Sequence, residues 1–125
     1  MWFSLNITEK SRTFAAKNYL KVKENILDMI RQSLLLNLPE GGKALLYGSR
    51  ARGDADDSSD WDVLILLNKE RLAPEDYDTI SYPLRLLGWD LGEMINPVMY
   101  TNLEWENNKM TPFYYNFTND AVQLV

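Results

Sequence analysis

The sequence predicts an α/β domain of the α+β two-layer kind: a small mixed β-sheet with helices packed on it. Three observations carry that expectation. An amphipathic periodicity near 3.6 residues runs from Thr13 to about Leu38. Two short apolar runs, Lys43 to Tyr47 and Asp60 to Leu67, have the length and composition of strands. Pro39 and the Gly41-Gly42 pair punctuate the passage from the first helix to the first strand. At 125 residues the chain supports one hydrophobic core, so a single domain over residues 1–125 is expected.

In the first helix, Tyr19, Val22, Ile26, Ile30 and Leu34 recur every three or four residues among Lys17, Lys21, Lys23, Glu24 and Arg31. Pro39 cannot continue it. The strand from Lys43 ends at Gly48-Ser49, a step that suits the start of a short helix. Asp54 to Ser58 is a polar loop. The strand Asp60 to Leu67 has an apolar inner half, as a sheet covered by helices requires. Pro74 begins a second long helix, to about Leu87, with a kink expected at Tyr82-Pro83. A third strand runs from Glu93 to Thr101, and Pro97 places it at an edge or a bulge. Asn102 is a candidate cap for a short helix through Asn107. Beyond Thr111 lies an aromatic cluster, Phe113, Tyr114, Tyr115 and Phe117, expected to seal a core or an interface.

The formal net charge of −5 argues against a broad electrostatic grip on nucleic acid, which needs many cationic phosphate contacts. It suits a site that gathers carboxylates. With no cysteine and no histidine, disulfides, thiolate nucleophiles, Cys/His zinc sites and imidazole acid–base chemistry are all excluded. Any chemistry here runs on carboxylates, hydroxyls, cations and oxygen-bound metal. No signal-peptide pattern and no apolar run long enough to span a bilayer is present, so no membrane association and a cytoplasmic location are expected. The Asn6 and Asn116 sequons and the Arg52-Gly53-Asp54 tripeptide are read as chance occurrences on the same ground.

The densest information lies in Gly48-Ser49-Arg50-Ala51-Arg52-Gly53 and Ser59-Asp60-Trp61-Asp62. A Gly-Ser step after a strand can open a helix whose free N–H groups face a phosphate. Asp60 and Asp62, two residues apart on a strand, project to one side of the sheet, and their like charges call for a cation between them. Trp61 between them points to the opposite face, into the core. A calcium-loop reading of Asp54, Asp56 and Ser58 fails, because Ser59 and Ile65 stand where that loop needs Gly and Glu. A Lys-Ser/Thr phosphate loop is absent as well. Asp54, Asp56 and Asp57 are therefore read as solvated loop charges.

Gly48-Ser49-x-Ala51-x-Gly53 followed by Ser59-Asp60-x-Asp62 and an apolar strand resembles the signature of the DNA polymerase β-type nucleotidyltransferase superfamily. In size the chain is similar to its minimal nucleotidyltransferases. The resemblance is sharpest from Leu45 to Leu67. It implies that Gly48 and Ser49 hold the β- and γ-phosphates of a nucleoside triphosphate, such as ATP. It further implies that Asp60 and Asp62 bind two Mg²⁺ ions and that an acceptor hydroxyl displaces pyrophosphate from the α-phosphorus. Arg50, Arg52 and Ser59 are further candidates for phosphate contact. The resemblance also calls for a third carboxylate on a nearby strand; Glu93 is the first candidate and Asp90 the second. Two readings follow. One is a Mg²⁺-dependent enzyme that moves AMP or another nucleoside monophosphate onto a hydroxyl. The other is an interaction protein, such as the antitoxin half of a toxin–antitoxin pair whose partner is a helical protein of the higher-eukaryote and prokaryote nucleotide-binding (HEPN) type. Self-association or such a helical partner is expected, because larger relatives carry an added helical domain that completes the acceptor site.

Overall fold

A computed structural model describes residues 22–125. Helix α1 covers residues 22–37, with Ile26, Ile30 and Leu34 buried along one stripe as the periodicity predicts. The expected helix over residues 13–21, with Lys17, Tyr19 and Lys21, lies outside the described residues. Arg31 Nε donates to the Leu124 carbonyl at 3.3 Å, tying the C-terminal half of α1 to the end of the chain.

Four strands form one mixed sheet in the order β3-β2-β1-β4. Strand β1 (Lys43–Tyr47) runs antiparallel to β2 (Trp61–Leu67) and to the short β4 (Val122–Gln123), while β2 is parallel to β3 (Ile95–Thr101). β2 has neighbours on both edges and cover on both faces, and from Val63 to Leu67 every residue is buried. That is why it reads as a continuous apolar run. β3 takes the edge that Pro97 predicts, since proline has no N–H to give to a further strand. It starts at Ile95, two residues later than expected. Glu93 belongs to the turn before it, with its N–H bonded to the Gly88 carbonyl at 2.8 Å.

The helical stretch after Pro74 begins with α3 (Pro74–Asp76), passes through a π-helical turn over Tyr77–Ser81, and continues as α4 (Tyr82–Leu91). The expected break at Pro83 is absorbed here. Tyr82 N–H reaches back five residues to the Tyr77 carbonyl, and this wider turn lets the chain pass a proline without ending the helix. Ile80 and Leu84 are buried. α4 packs on β3 at Gly88, where a Cβ would fall 2.6 Å from the Glu93 carbonyl oxygen.

Helix α5 (Asn102–Glu106) is capped by Thr101 rather than by Asn102. Thr101 Oγ1 accepts from Glu104 N–H, and the Glu104 side chain accepts from Thr101 N–H, a reciprocal box that places the cap one residue earlier. The tail is ordered as α6 (Pro112–Asp120), started by Thr111, followed by β4. Trp105 and Phe117 join Leu64 and Leu66 in a core with Leu45, Tyr47, Val98 and Tyr100 packed around it. The Trp105 and Phe117 rings meet edge to face at 4.9 Å, so the aromatic tail closes the sheet face on which Asp62 lies. Among the described residues no helix is long and apolar enough to cross a membrane.

Candidate functional site

The segment from β1 to β2 builds the site from its turn outward. Strand β1 ends at Tyr47, and Gly48 turns the chain with φ +75° into the four-residue helix α2 (Ser49–Arg52). Two constraints make residue 48 glycine. A side chain is strained at that φ, and a Cβ there would sit 2.6 Å from Asp62 Oδ2. The Gly48-Ser49 backbone is thereby laid directly against the Asp62 carboxylate. α2 closes on the Gly48 carbonyl, which accepts from Ala51 N–H and Arg52 N–H, both at 3.0 Å.

Asp60 immediately precedes β2 and Asp62 is its second residue. In the ladders Asp62 lies opposite Tyr47 and level with Asn96 of β3. Asn96 Nδ2 donates to Asp60 Oδ2 at 2.9 Å and to Asp62 Oδ1 at 3.4 Å. One amide therefore holds both aspartates together, as their shared side of the strand predicts. Burial pushes the Asp62 carboxyl above the ordinary carboxylate range. The Asn96 bond opposes that rise, the Asp60 charge adds to it and Arg52 opposes it. Two carboxylates, with an amide oxygen brought to them by a half-turn of the Asn96 side chain, are a donor set that suits a hard divalent cation.

Glu93 is not brought to this pair. Its Oε2 accepts from Trp61 Nε1 at 3.1 Å and lies 3.9 Å from Arg50 Nη2. Trp61 and Asp62 alternate along β2, so Glu93 attaches to the side of the sheet that Asp62 does not face. Among the described residues no three His, Cys, Asp or Glu side chains gather closely enough to hold a metal ion. Asn96 stands beside Asp60 and Asp62 where the sequence resemblance calls for a third acid. The sequence reading passed over it by starting the strand at Glu93; the overlooked signal was a polar residue between Ile95 and Pro97 in an otherwise apolar run.

The basic residues of α2 divide. Arg50 is buried, with its side chain only 5% exposed; its Nη2 donates to the Ser59 carbonyl at 3.1 Å, and its guanidinium lies 4.5 Å from the centroid of the Trp61 ring. It clamps the Asp54–Ser59 loop to β2 rather than facing outward. Arg52 is on the surface and pairs with Asp54 at 3.2 Å and with Asp120 of α6 at 3.4 Å. Ser59 Oγ accepts from Asp56 N–H at 2.9 Å and bonds Asp56 Oδ1 at 3.2 Å. Asp56 also accepts from the Ser58 hydroxyl and N–H, and these bonds hold its carboxyl below the usual range. The Asp56 carboxylate thus organises its own loop.

A cleft of about 180 Å³ opens beside Gly48, walled by Tyr47, Phe113 and Phe117 and rimmed by Arg52, Asn116 and Asp120. A shallower one of about 410 Å³ lies between Ser59, Trp89 and Glu93 on the other side of the turn.

No curated protein matches the chain. Among solved structures it is similar to one described as a toxin–antitoxin with AMP-PNP, at 18% identity and a TM-score of 0.53, covering 79% of this chain and 72% of that one. It is also similar to a structure described as a "putative nucleotidyltransferase" from Sulfolobus solfataricus, at 24% identity and a TM-score of 0.46, covering 83% and 77%. The first likeness bears on the fold. The family whose description is "Polymerase beta, Nucleotidyltransferase" matches residues 32–110, from α1 through α5 and with the whole Gly48–Asp62 turn inside it. The chain belongs to the polymerase β nucleotidyltransferase family.

Proposed function

We propose that the protein binds a nucleoside triphosphate across the Gly48-Ser49 turn and the Asp60–Asp62 pair, and transfers its nucleoside monophosphate to a hydroxyl. AMP from ATP is the favoured donor group, and a partner protein the favoured acceptor. The observation that carries this reading is the close approach of Gly48 to Asp62, which sets the Gly48-Ser49 turn directly beside paired carboxylates. In this reading the Ser49 hydroxyl and the Gly48-Ser49 backbone hold the terminal phosphates, and Asp60 and Asp62 hold Mg²⁺. Bound Mg²⁺ neutralises the triphosphate and the charge that grows as the bond to the leaving group breaks.

Transfer joins the acceptor oxygen to the α-phosphorus and breaks the bond to the bridging oxygen, which leaves with pyrophosphate. The acceptor proton passes to water or to a carboxylate oxygen of Asp60 or Asp62; the neutral amide of Asn96 does not receive it. The chain's own share of the work is alignment. Ser49 and the Gly48-Ser49 backbone fix one end of the triphosphate, and Asn96 holds Asp60 and Asp62 in one orientation before substrate arrives.

The AMP-PNP complex of a toxin–antitoxin structure of similar fold supports both the nucleotide and a protein partner. Exposed Leu35, Leu36, Trp89 and Met94 offer apolar surface to that partner. Asn96 favours a second reading: a nucleotide-binding, antitoxin-type partner of a small helical protein that carries out no transfer. Radiolabelled ATP and Mg²⁺ incubated with the chain and a helical protein from the adjacent reading frame decide between them. Label on the partner, lost in D60N and D62N, supports transfer. Bound nucleotide with no labelled product establishes the second reading instead.

A further inference from the structure

We propose that this site takes one divalent cation per bound nucleotide rather than two, and that Asn96 is the residue that sets the number. The inference rests on the nucleotide-binding reading above and specifies its metal content.

Each divalent cation beside a triphosphate needs hard oxygen ligands from the protein as well as from the phosphates, and a third carboxylate would be the source of them for a second ion. Three features of this chain remove that source. Asn96, level with Asp62 in the β2–β3 ladder, contributes an amide that touches both aspartates, at 2.9 and 3.4 Å. Glu93 is engaged by Trp61 and Arg50 on the other side of the sheet. Asp54 and Asp56 are engaged by Arg52 and by the loop's own hydroxyl and N–H groups. Protein charge at the site is therefore that of two carboxylates. One cation would take both of these as ligands, whereas a second would find only the neutral amide oxygen of Asn96.

Asn96 also does something a carboxylate there would not. Its N–H groups hold the two like charges together before any ion arrives, whereas a third negative group would push them apart. Exchange of Asn96 for Asp should therefore create a second cation position, and should loosen the fold in the absence of metal.

The test counts Mn²⁺ by the loss of its free electron paramagnetic resonance signal, with the chain in excess over a non-hydrolysable ATP analogue. The wild-type chain is expected to bind one Mn²⁺ per bound nucleotide, and N96D two. N96D should also gain more thermal stability from Mn²⁺ than the wild type does. Two ions in the wild type overturn the inference without any variant, and so does a count unchanged in a folded N96D. A chain that binds the analogue but with two ions refutes only the cation number. A chain that binds neither analogue nor Mn²⁺ refutes the nucleotide-binding reading itself.

Discussion

Tyr47 and Asp62 face each other across the β1–β2 ladder, and the Asp62 charge bears on the ionisation of Tyr47. Burial pushes the Tyr47 phenol up to about 12, with the Asp62 carboxylate and then Tyr100 adding to the rise. An acid whose folded pKa is raised favours the folded state while protonated. That preference is present below the unfolded pKa near 10 and is lost as pH climbs toward 12. Ultraviolet titration of phenolate is expected to show a tyrosine ionising at about 12 that is absent from Y47F. Y47F should hold its circular dichroism to higher pH than the wild type; an unchanged alkaline midpoint would refute the linkage.

Asp62 carries the same sign at the acidic end. Its raised carboxyl costs stability above the ordinary carboxylate range, and the cost disappears as pH falls and the folded state takes up the proton. D62N should therefore raise the urea midpoint at pH 7 and lose that gain near pH 3. Because Asp62 is partly exposed, solvent screening limits the gain to less than about 1 kcal/mol. Nucleotide binding should weaken in the same variant, so that stability and function move in opposite directions.

Gly48 and Gly53 flank α2, and both have positive φ, but only Gly48 is crowded. G53A meets nothing within 4 Å and should cost only the backbone term, about 1 kcal/mol. G48A adds a collision with the Asp62 carboxylate and should cost about 2–4 kcal/mol, with nucleotide affinity falling as Asp62 is displaced. Chemical denaturation of the two variants side by side checks the difference. Equal losses would mean that the contact with Asp62 is not a constraint.

Arg50 and Glu93 are expected to act on the fold. R50M leaves the Ser59 carbonyl and the Trp61 ring without their cation and should destabilise by about 1–3 kcal/mol. E93Q keeps an acceptor for Trp61 Nε1 and should leave Mn²⁺ and nucleotide binding within two-fold of the wild type by calorimetry. A ten-fold loss of Mn²⁺ affinity in E93Q would restore Glu93 as a ligand.

Phe117 is the buried centre of the tail's aromatic cluster, touching Tyr47, Phe113 and Trp105. F117A should cost about 3–5 kcal/mol by emptying that space. Thermal unfolding measures it, and a loss below about 1 kcal/mol would show that α6 does not close this face.

Much of this molecule was legible in the order of its residues, because local rules govern those parts. Periodicity marked α1, the length and composition of apolar runs marked both inner strands, Gly48-Ser49 marked the turn, and Pro97 marked an edge or a bulge. The alternation of Asp60, Trp61 and Asp62 separated the acidic side from the core. Where local rules compete, the order of residues was not enough. Thr101 took the cap from Asn102 because Glu104 completed its box, and a π-helical turn carried the helix past Pro83. The tail's aromatic residues became a helix only because the sheet face holding Leu64 and Leu66 needed a cover.

The place of Asn96 beside Asp60 and Asp62 was decided by tertiary structure. A parallel pairing joins strands distant in sequence, and a shift of one residue in its register sends a side chain to the opposite face. The polar break that Asn96 makes between Ile95 and Pro97 sets it apart from the core, but only the strand pairing puts it level with Asp62. The β2–β3 ladder decided that an amide, and not Glu93, would meet the two aspartates.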